Sequence, residues 1–101
     1  MQITSRNQNN EATLSLSGRF DFNTHRDFRN AYESILKAGG LSKLSIDLGG
    51  VDYLDSSALG MLLLLNEKAG AANTKVVISN SQANVRQILE IANFHKLFNI
   101  S

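Results

Sequence analysis

Asp55, Ser56 and Ser57 stand immediately before the longest apolar run of the chain, Ala58 to Leu65, which only Gly60 interrupts. An acidic residue followed by two hydroxyls at the mouth of an apolar run has two chemical uses. The Asp55 carboxylate can cap a helix by accepting from the amide of Ser57 or Ala58. A serine in the first helical turn can also carry a phosphate, because free backbone N–H groups and the positive end of the helix dipole face it there. Ser57 occupies that turn. A phosphate on it would add about −1.5 to −2 charge at pH 7, in a loop already made acidic by Asp52 and Asp55. The expected result is a changed surface potential rather than a changed fold. Asp-Ser-Ser before an apolar run is also a common helix start, and the physics of the loop alone does not single out phosphorylation.

Other chemistry is poorly supported. His25 and His95 lie far apart in sequence, with no ligand pattern around them, so no metal site is expected. Solvent-exposed or capping roles suit them. Ser57, His25 and Asp21 can be drawn as a hydrolase triad, but the chain has no Gly-x-Ser-x-Gly elbow to present the serine. Gly49-Gly50 lacks the lysine and spacing of a phosphate-binding loop and reads as a turn. With no cysteine in the chain, thiolate ligands, disulfides and cysteine nucleophiles are excluded. Neither catalytic residues nor a cofactor are expected.

The elements that must position Ser57 follow from periodicity. A strand candidate around Ile3 precedes a turn over Asn7 to Glu11. Ala12, Leu14 and Leu16 then alternate with Thr13, Ser15 and Ser17, the period of a half-buried strand. These two strands should pair as an antiparallel hairpin. Phe28, Ala31, Tyr32, Ile35 and Leu36 form one apolar helix face, with Thr24 and Asp27 as a capping box and Gly39-Gly40 as its stop. Leu44, Ile46 and Leu48 mark a third strand. The leucine-rich run is too long for a buried strand and predicts a helix. Val76 to Ile78 predict a strand buried on both faces, and Ser81 a cap for a last helix with Val85, Ile88, Leu89 and Ala92 inside. Phe94, Leu97, Phe98 and Ile100 predict a short final strand or a docked turn. The order β-β-α-β-α-β-α is that of an α/β domain, a mixed sheet of four to five strands with helices packed on it and right-handed crossovers. The segment Asp47 to Ser57 then lies past the carboxyl end of a central strand, where such sheets place their sites.

Length and charge narrow the class further. The 101 residues suit a single domain, 1–101. Formal net charge is +1, which gives no footprint for nucleic acid or an anionic membrane. The apolar run falls far short of the ~20 residues of a membrane span, and the start lacks the pattern of a secretory signal. A soluble, cytoplasmic protein is expected. Lys68, Lys75 and Lys96 read as scattered surface charges.

Asp55-Ser56-Ser57-Ala58-Leu59-Gly60, after the strand ending Ile46-Asp47-Leu48, resembles the signature of the STAS domain. More narrowly it resembles the bacterial anti-sigma factor antagonists. Gly18-Arg19-Phe20-Asp21-Phe22 resembles the Gly-x-x-Asp loop after that family's second strand. The stretches Gly18 to Tyr32 and Tyr53 to Leu65 look like a subgroup from Gram-negative bacteria. That subgroup works beside response regulators carrying a phosphatase domain and tunes motility against surface attachment. The resemblance covers the chain in order and length.

The resemblance implies roles for four residues. Ser57 matches the phosphate acceptor. Ser56 matches the serine not usually modified. Asp55 shapes the loop where a kinase docks, and Asp21 meets the partner from a loop expected to be exposed. Ala58 departs from the glycine of many members. The implied function is partner switching. The unphosphorylated chain binds an anti-sigma factor or related regulator, a partner serine kinase modifies Ser57 and causes release, and a PP2C-like phosphatase resets it. The chain is then substrate and ligand, not enzyme. The alternative is a constitutive STAS-type cytoplasmic subunit of a lipid-handling ABC transporter. A small-ligand module, binding for instance a nucleotide, is a third reading.

Overall fold

The alternating apolar residues of the strands all point one way. Ala12, Leu14, Leu16, Leu44, Ile46, Leu48, Val76 and Ile78 are buried, whereas the residues between them are only half-buried. A computed structural model describes residues 1–100 and shows why. Five strands form one sheet in the order β1-β2-β3-β4-β5. They are β1 (Gln2–Gln8), β2 (Glu11–Phe20), β3 (Lys43–Leu54), β4 (Lys75–Ser79) and β5 (Asn99–Ile100). The helices are α1 (His25–Ala38), α2 (Ser56–Ala71) and α3 (Ala83–Ile91), with short 3-10 turns at Phe22–Thr24 and Phe94–Lys96. The mixed α/β order anticipated from periodicity is the order observed.

β1 and β2 pair antiparallel through a two-residue turn at Asn9 and Asn10. Asn9 takes the left-handed conformation at φ 58°, which asparagine tolerates. β2, β3, β4 and β5 are mutually parallel. Each crossover steps in the same direction across the sheet, so right-handed connections carry all three helices to one face. One core results, between that face and the helices. The other face is open and polar, lined by Thr13, Ser15, Ser45 and Asp47.

The uncovered face corrects the reading of β4. Val76 and Ile78 are buried, but Val77 points to the open face and is half-buried. Three further expectations also change. Gly49-Gly50 is not a turn but lies inside β3. The strand runs on through a bulge of its own: Ser15 pairs with Asp47 and Ser17 with Gly50, so β3 carries one residue more than β2 there. A Cβ on Gly50 would sit 2.6 Å from the Ser17 Cβ and 3.0 Å from the Leu16 oxygen, so the close approach needs glycine. Thr24 precedes α1 but its side chain does not cap that helix. Its hydroxyl instead serves the preceding 3-10 turn. Ser81 does not cap α3 either. Gln82 holds the N-cap position without a side-chain cap bond, and the Ser81 hydroxyl oxygen is buried with no hydrogen-bond partner among the described residues.

Candidate functional site

Because β3 extends to Leu54, a single residue, Asp55, joins it to α2. The loop expected over Asp47 to Ser57 is therefore mostly strand. Asp55 has extended backbone and is the N-cap. One carboxylate oxygen, Oδ1, accepts from the Ala58 amide at 2.9 Å. The other, Oδ2, accepts from the Phe22 amide at 3.2 Å. The Asp55 amide itself donates to the Phe20 carbonyl at 3.2 Å. Asp55 thus ties the start of α2 to the turn after β2. Charge-assisted bonds of this kind are stronger than neutral ones, and both ends of the carboxylate are used.

Asp21 begins that turn and organises it. Its Oδ1 accepts from the Asn23 amide at 3.0 Å. Its amide donates to the Thr24 hydroxyl at 3.3 Å, and that hydroxyl donates to the Asp21 carbonyl at 2.8 Å. Aspartate and threonine satisfy one another reciprocally, as in a capping box. The loop is exposed at Arg19, Phe22 and Asn23, as expected, but the Asp21 side chain itself is only 18% exposed: it is a cap whose remaining oxygen, Oδ2, pairs with Arg19 at 3.5 Å.

Arg19, Phe22 and Tyr53 have no role assigned to them by the sequence. The Arg19 guanidinium lies 4.2 Å from the centroid of the Tyr53 ring, within cation–π reach. It bridges Asp21 on β2's end to Tyr53 on β3's end. Phe22 is 64% exposed and stacks obliquely on His25 at 5.2 Å. His25 in turn bonds the Phe22 carbonyl through Nδ1 at 2.9 Å, a local role consistent with the capping or surface expectation. Tyr53 and Phe22 are exposed aromatics flanking the mouth of α2. Their one sequence signal was position: an aromatic directly after Asp21, and another two residues before Asp55, at the ends of strands.

Ser56 is exposed and Ser57 half-buried, both in the first turn of α2. The hydrogen bonds that hold this loop are made by Asp55 and Asp21, so either hydroxyl could change without unpicking them. Asp21, Asp55, Ser56 and Ser57 thus lie at one corner, at the carboxyl ends of β2 and β3. Asp52 is exposed beside it, and its carbonyl accepts from the Asn84 side chain of α3 at 3.0 Å. No group of three or more histidine and carboxylate side chains suited to a metal occurs among the described residues. No described helix is long and apolar enough to cross a membrane.

A parallel-rich sheet with three helices on one face, and an Asp-Ser-Ser corner that opens the central helix, define a class. The family model described as "Mlab, STAS domain" matches residues 3–99, and the chain belongs to the STAS-domain family. A STAS-domain containing protein of Pseudomonas aeruginosa (strain UCBPP-PA14) is 50% identical to it over 91 residues, 90% of this chain and 88% of that protein. Among solved structures, the anti-sigma factor antagonist SpoIIAA of Bacillus is similar in both its forms. The unphosphorylated form gives a TM-score of 0.84 at 14% identity, covering 99% of this chain and 88% of that one. The phosphorylated form gives 0.76 at 13%, covering 99% and 91%. The STAS domain of a SulP transporter from Vibrio cholerae gives 0.75 at 24%, covering 94% and 75%. At such identities the structures establish the shared fold. That fold serves both antagonists and transporter domains.

Proposed function

We propose that the chain is an anti-sigma factor antagonist that works by partner switching in the cytoplasm. Unphosphorylated, it binds an anti-sigma factor or related regulator through the corner formed by Asp21, Asp55, Ser56 and Ser57. A partner kinase presents ATP. The Ser57 oxygen attacks the γ-phosphorus, the bond to the ADP oxygen breaks, and the hydroxyl proton passes to a base of the kinase. The new dianion weakens docking by repulsion and by the cost of burying it unpaired. A PP2C-like phosphatase hydrolyses the phosphoester and resets the chain. The chain itself supplies no catalytic residue.

One observation carries the reading. Ser57 sits in the first turn of a helix whose cap is made by another residue, Asp55. The serine is therefore free for modification while the helix start stays fixed. The likeness to SpoIIAA, solved with and without phosphate, supports the same reading.

A second reading rests on the likeness to the transporter domain. A constitutive subunit of a lipid-handling ABC transporter would use the same fold as a brace and would need no phosphate on Ser57. Intact mass and fragmentation of protein taken from its own cells separate the two. Phosphate on Ser57 is expected, lost in Ser57→Ala, with partner capture retained. Ser57→Asp should weaken capture by roughly tenfold or more, about 1.4 kcal/mol. Absence of phosphate in every growth condition, with transporter components captured instead, would favour the second reading.

A further inference from the structure

The two edges of the sheet are unlike. β5 ends one of them with two residues. β1 ends the other with seven, Gln2–Gln8. Its register with β2 is unbroken from Gln2 to Gln8, so no bulge turns it away. It holds no proline, and Arg6 is its single charged residue. Long exposed edges ordinarily carry such devices, because their unpaired backbone groups accept a further strand.

The hairpin decides which groups are unpaired. A two-residue turn closes on a pair that exchanges both hydrogen bonds, here Gln8 and Glu11. Bonded pairs then recur at every second residue, at Arg6, Thr4 and Gln2. The N–H and C=O groups of Ile3, Ser5 and Asn7 therefore point away from β2. No turn, loop or cap bond takes them among the described residues. The side chains of the same three residues lie on the helix side, because their partners Leu16, Leu14 and Ala12 are buried there. α1 contacts β1 and β2 alike, so it lies over their junction. A recess of about 490 Å³ follows the edge, lined by Ile3, Ser5, Asp27, Asn30, Ala31 and Ser34 among others.

We infer that β1 pairs antiparallel with β1 of a second copy, about a two-fold axis at Ser5, joining two sheets into one. With Ser5 meeting Ser5 on the axis, Ile3 of each copy faces Asn7 of the other, and every outward backbone group finds a partner. Arg6 faces Thr4, so no like charges meet. The helices also fit. Paired strands lie about 4.8 Å apart, and α1 sits roughly half a strand spacing inside β1. The two α1 helices then lie roughly 10 Å apart, the distance of packed helices. They run antiparallel, which sets the first turn with Asp27 toward the end that carries Lys37. Neither residue has an ion pair among the described residues, and the two Asp27 carboxylates stay apart. Pairing of β1 with β5 would instead build an open filament, and β5 is too short to hold it. A second copy thus matches the edge position by position, which an unrelated extended segment does only by chance.

β2 separates β1 from β3 and the Asp55 corner. The two-fold axis reverses the strands, so the two corners stand at opposite ends of the dimer and both stay open. The dimer is bivalent, and its formation does not rest on the partner-switching reading.

The test is sedimentation velocity of the full chain from roughly 1 μM to roughly 1 mM. A monomer–dimer equilibrium is expected, unchanged in Ser57→Asp. Ser5→Pro removes an outward N–H and leaves the bonds to β2 in place. It should weaken the dimer roughly tenfold or more, with the melting temperature of the monomer within about a few degrees of wild type. Ser5→Lys and Ser5→Glu should each weaken the dimer, because like charges meet on the axis, and an equal mixture of the two should restore it. These serve if Ser5→Pro misfolds. The chain has no cysteine, so a single introduced thiol reads the register. Ser5→Cys should cross-link under mild oxidation, since Cα atoms of a bonded pair lie about 5.5 Å apart, within disulfide reach. Asn7→Cys should not, because the two Asn7 positions lie roughly 14 Å apart. The inference is overturned if the chain stays monomeric throughout, or if association survives Ser5→Pro and Ser5→Lys unchanged. Equal cross-linking of Ser5→Cys and Asn7→Cys, or a lysine–glutamate mixture no tighter than its components, overturns it as well.

Discussion

α2 and α3 begin at equivalent places, each just past the carboxyl end of a parallel strand, but their starts are built differently. α2 follows β3 after one residue, and that residue caps it and ties it to the turn after β2. α3 follows β4 with no side-chain cap, and the serine in the connection keeps a buried hydroxyl without a partner among the described residues. The core holds α3 through buried Val85 and Leu89; its start is tied by the Gln82 side chain donating to the Gly49 carbonyl at 3.0 Å and the Asn84 side chain donating to the Asp52 carbonyl. Both bonds run to β3, toward the α2 corner. The contrast shows where the fold has spent its polar groups. The α2 start is capped by Asp55 and not by Ser57, as the proposed modification of Ser57 requires. The α3 start leans on its neighbour.

The largest effect should come from removing the residue that makes the difference. Asp55→Ala deletes the cap bond to Ala58 and the tie to Phe22 together. A lost aspartate cap costs about 1 kcal/mol, up to about 2, and the second charge-assisted bond adds to it. A loss of about 2 kcal/mol is expected, read as a fall in denaturation midpoint with unchanged m-value. Hydrogen exchange should quicken at Ala58 and Phe22 together. If only Ala58 responds, the tie between the two loops does not exist. Asp21→Ala should cost less, about 1 kcal/mol, because it loses the turn's own cap and the Arg19 pair but leaves α2 capped. An unchanged midpoint would return Asp21 to a purely partner-facing role.

The sequence carried the contrast unevenly. The α2 start was legible because a cap is a local signal: Asp55, two hydroxyls and an apolar run are contiguous, and the geometry followed. The α3 start misled because Ser81 has the right residue type at nearly the right place. The helix starts one residue later, so Gln82 holds the cap position and Ser81 turns inward. The same limit hid the link from Asp55 to Phe22, which joins residues 33 apart in sequence. Gly49-Gly50 was read as a turn because glycine pairs usually end strands. What keeps them in β3 is a bulge, one extra β3 residue accommodated against β2, a tertiary fact. Alternation placed the buried strand residues correctly, but Val77 was wrongly expected inside, because a β-branched run does not say whether one or both faces are covered.

Ser81→Ala tests the weaker start directly. A buried hydroxyl with no partner costs about 1–3 kcal/mol relative to a satisfied one, so its removal should raise stability by about 1 kcal/mol. The α3 amides should become better protected, and those of α2 should not change. A destabilised Ser81→Ala would mean that the hydroxyl has a partner, such as an ordered water, and that the α3 start is better built than the contrast holds.

The smallest effect concerns the far end of α2, where Lys68 bonds the Glu33 carboxylate of α1 at 3.0 Å. Arg29 adds a second contact to Glu33 at 3.5 Å. The hydrogen bond from Lys68 is the main cause holding the Glu33 carboxyl below its ordinary value. A carboxyl depressed in the folded state binds its proton less readily than in the unfolded chain. It therefore contributes stability above its ordinary range and loses that contribution as pH falls through the folded value. Both side chains are about two-fifths exposed, 43% and 42%, so water and salt screen the pair. Glu33→Gln should melt slightly below wild type at neutral pH and low salt, with the gap closing as the pH falls through and below the ordinary carboxylate range or as salt is added. A gap that survives both conditions would assign the contact to packing of the side-chain stems. α2 would then be held at both ends by geometry, with its charges left to meet partners.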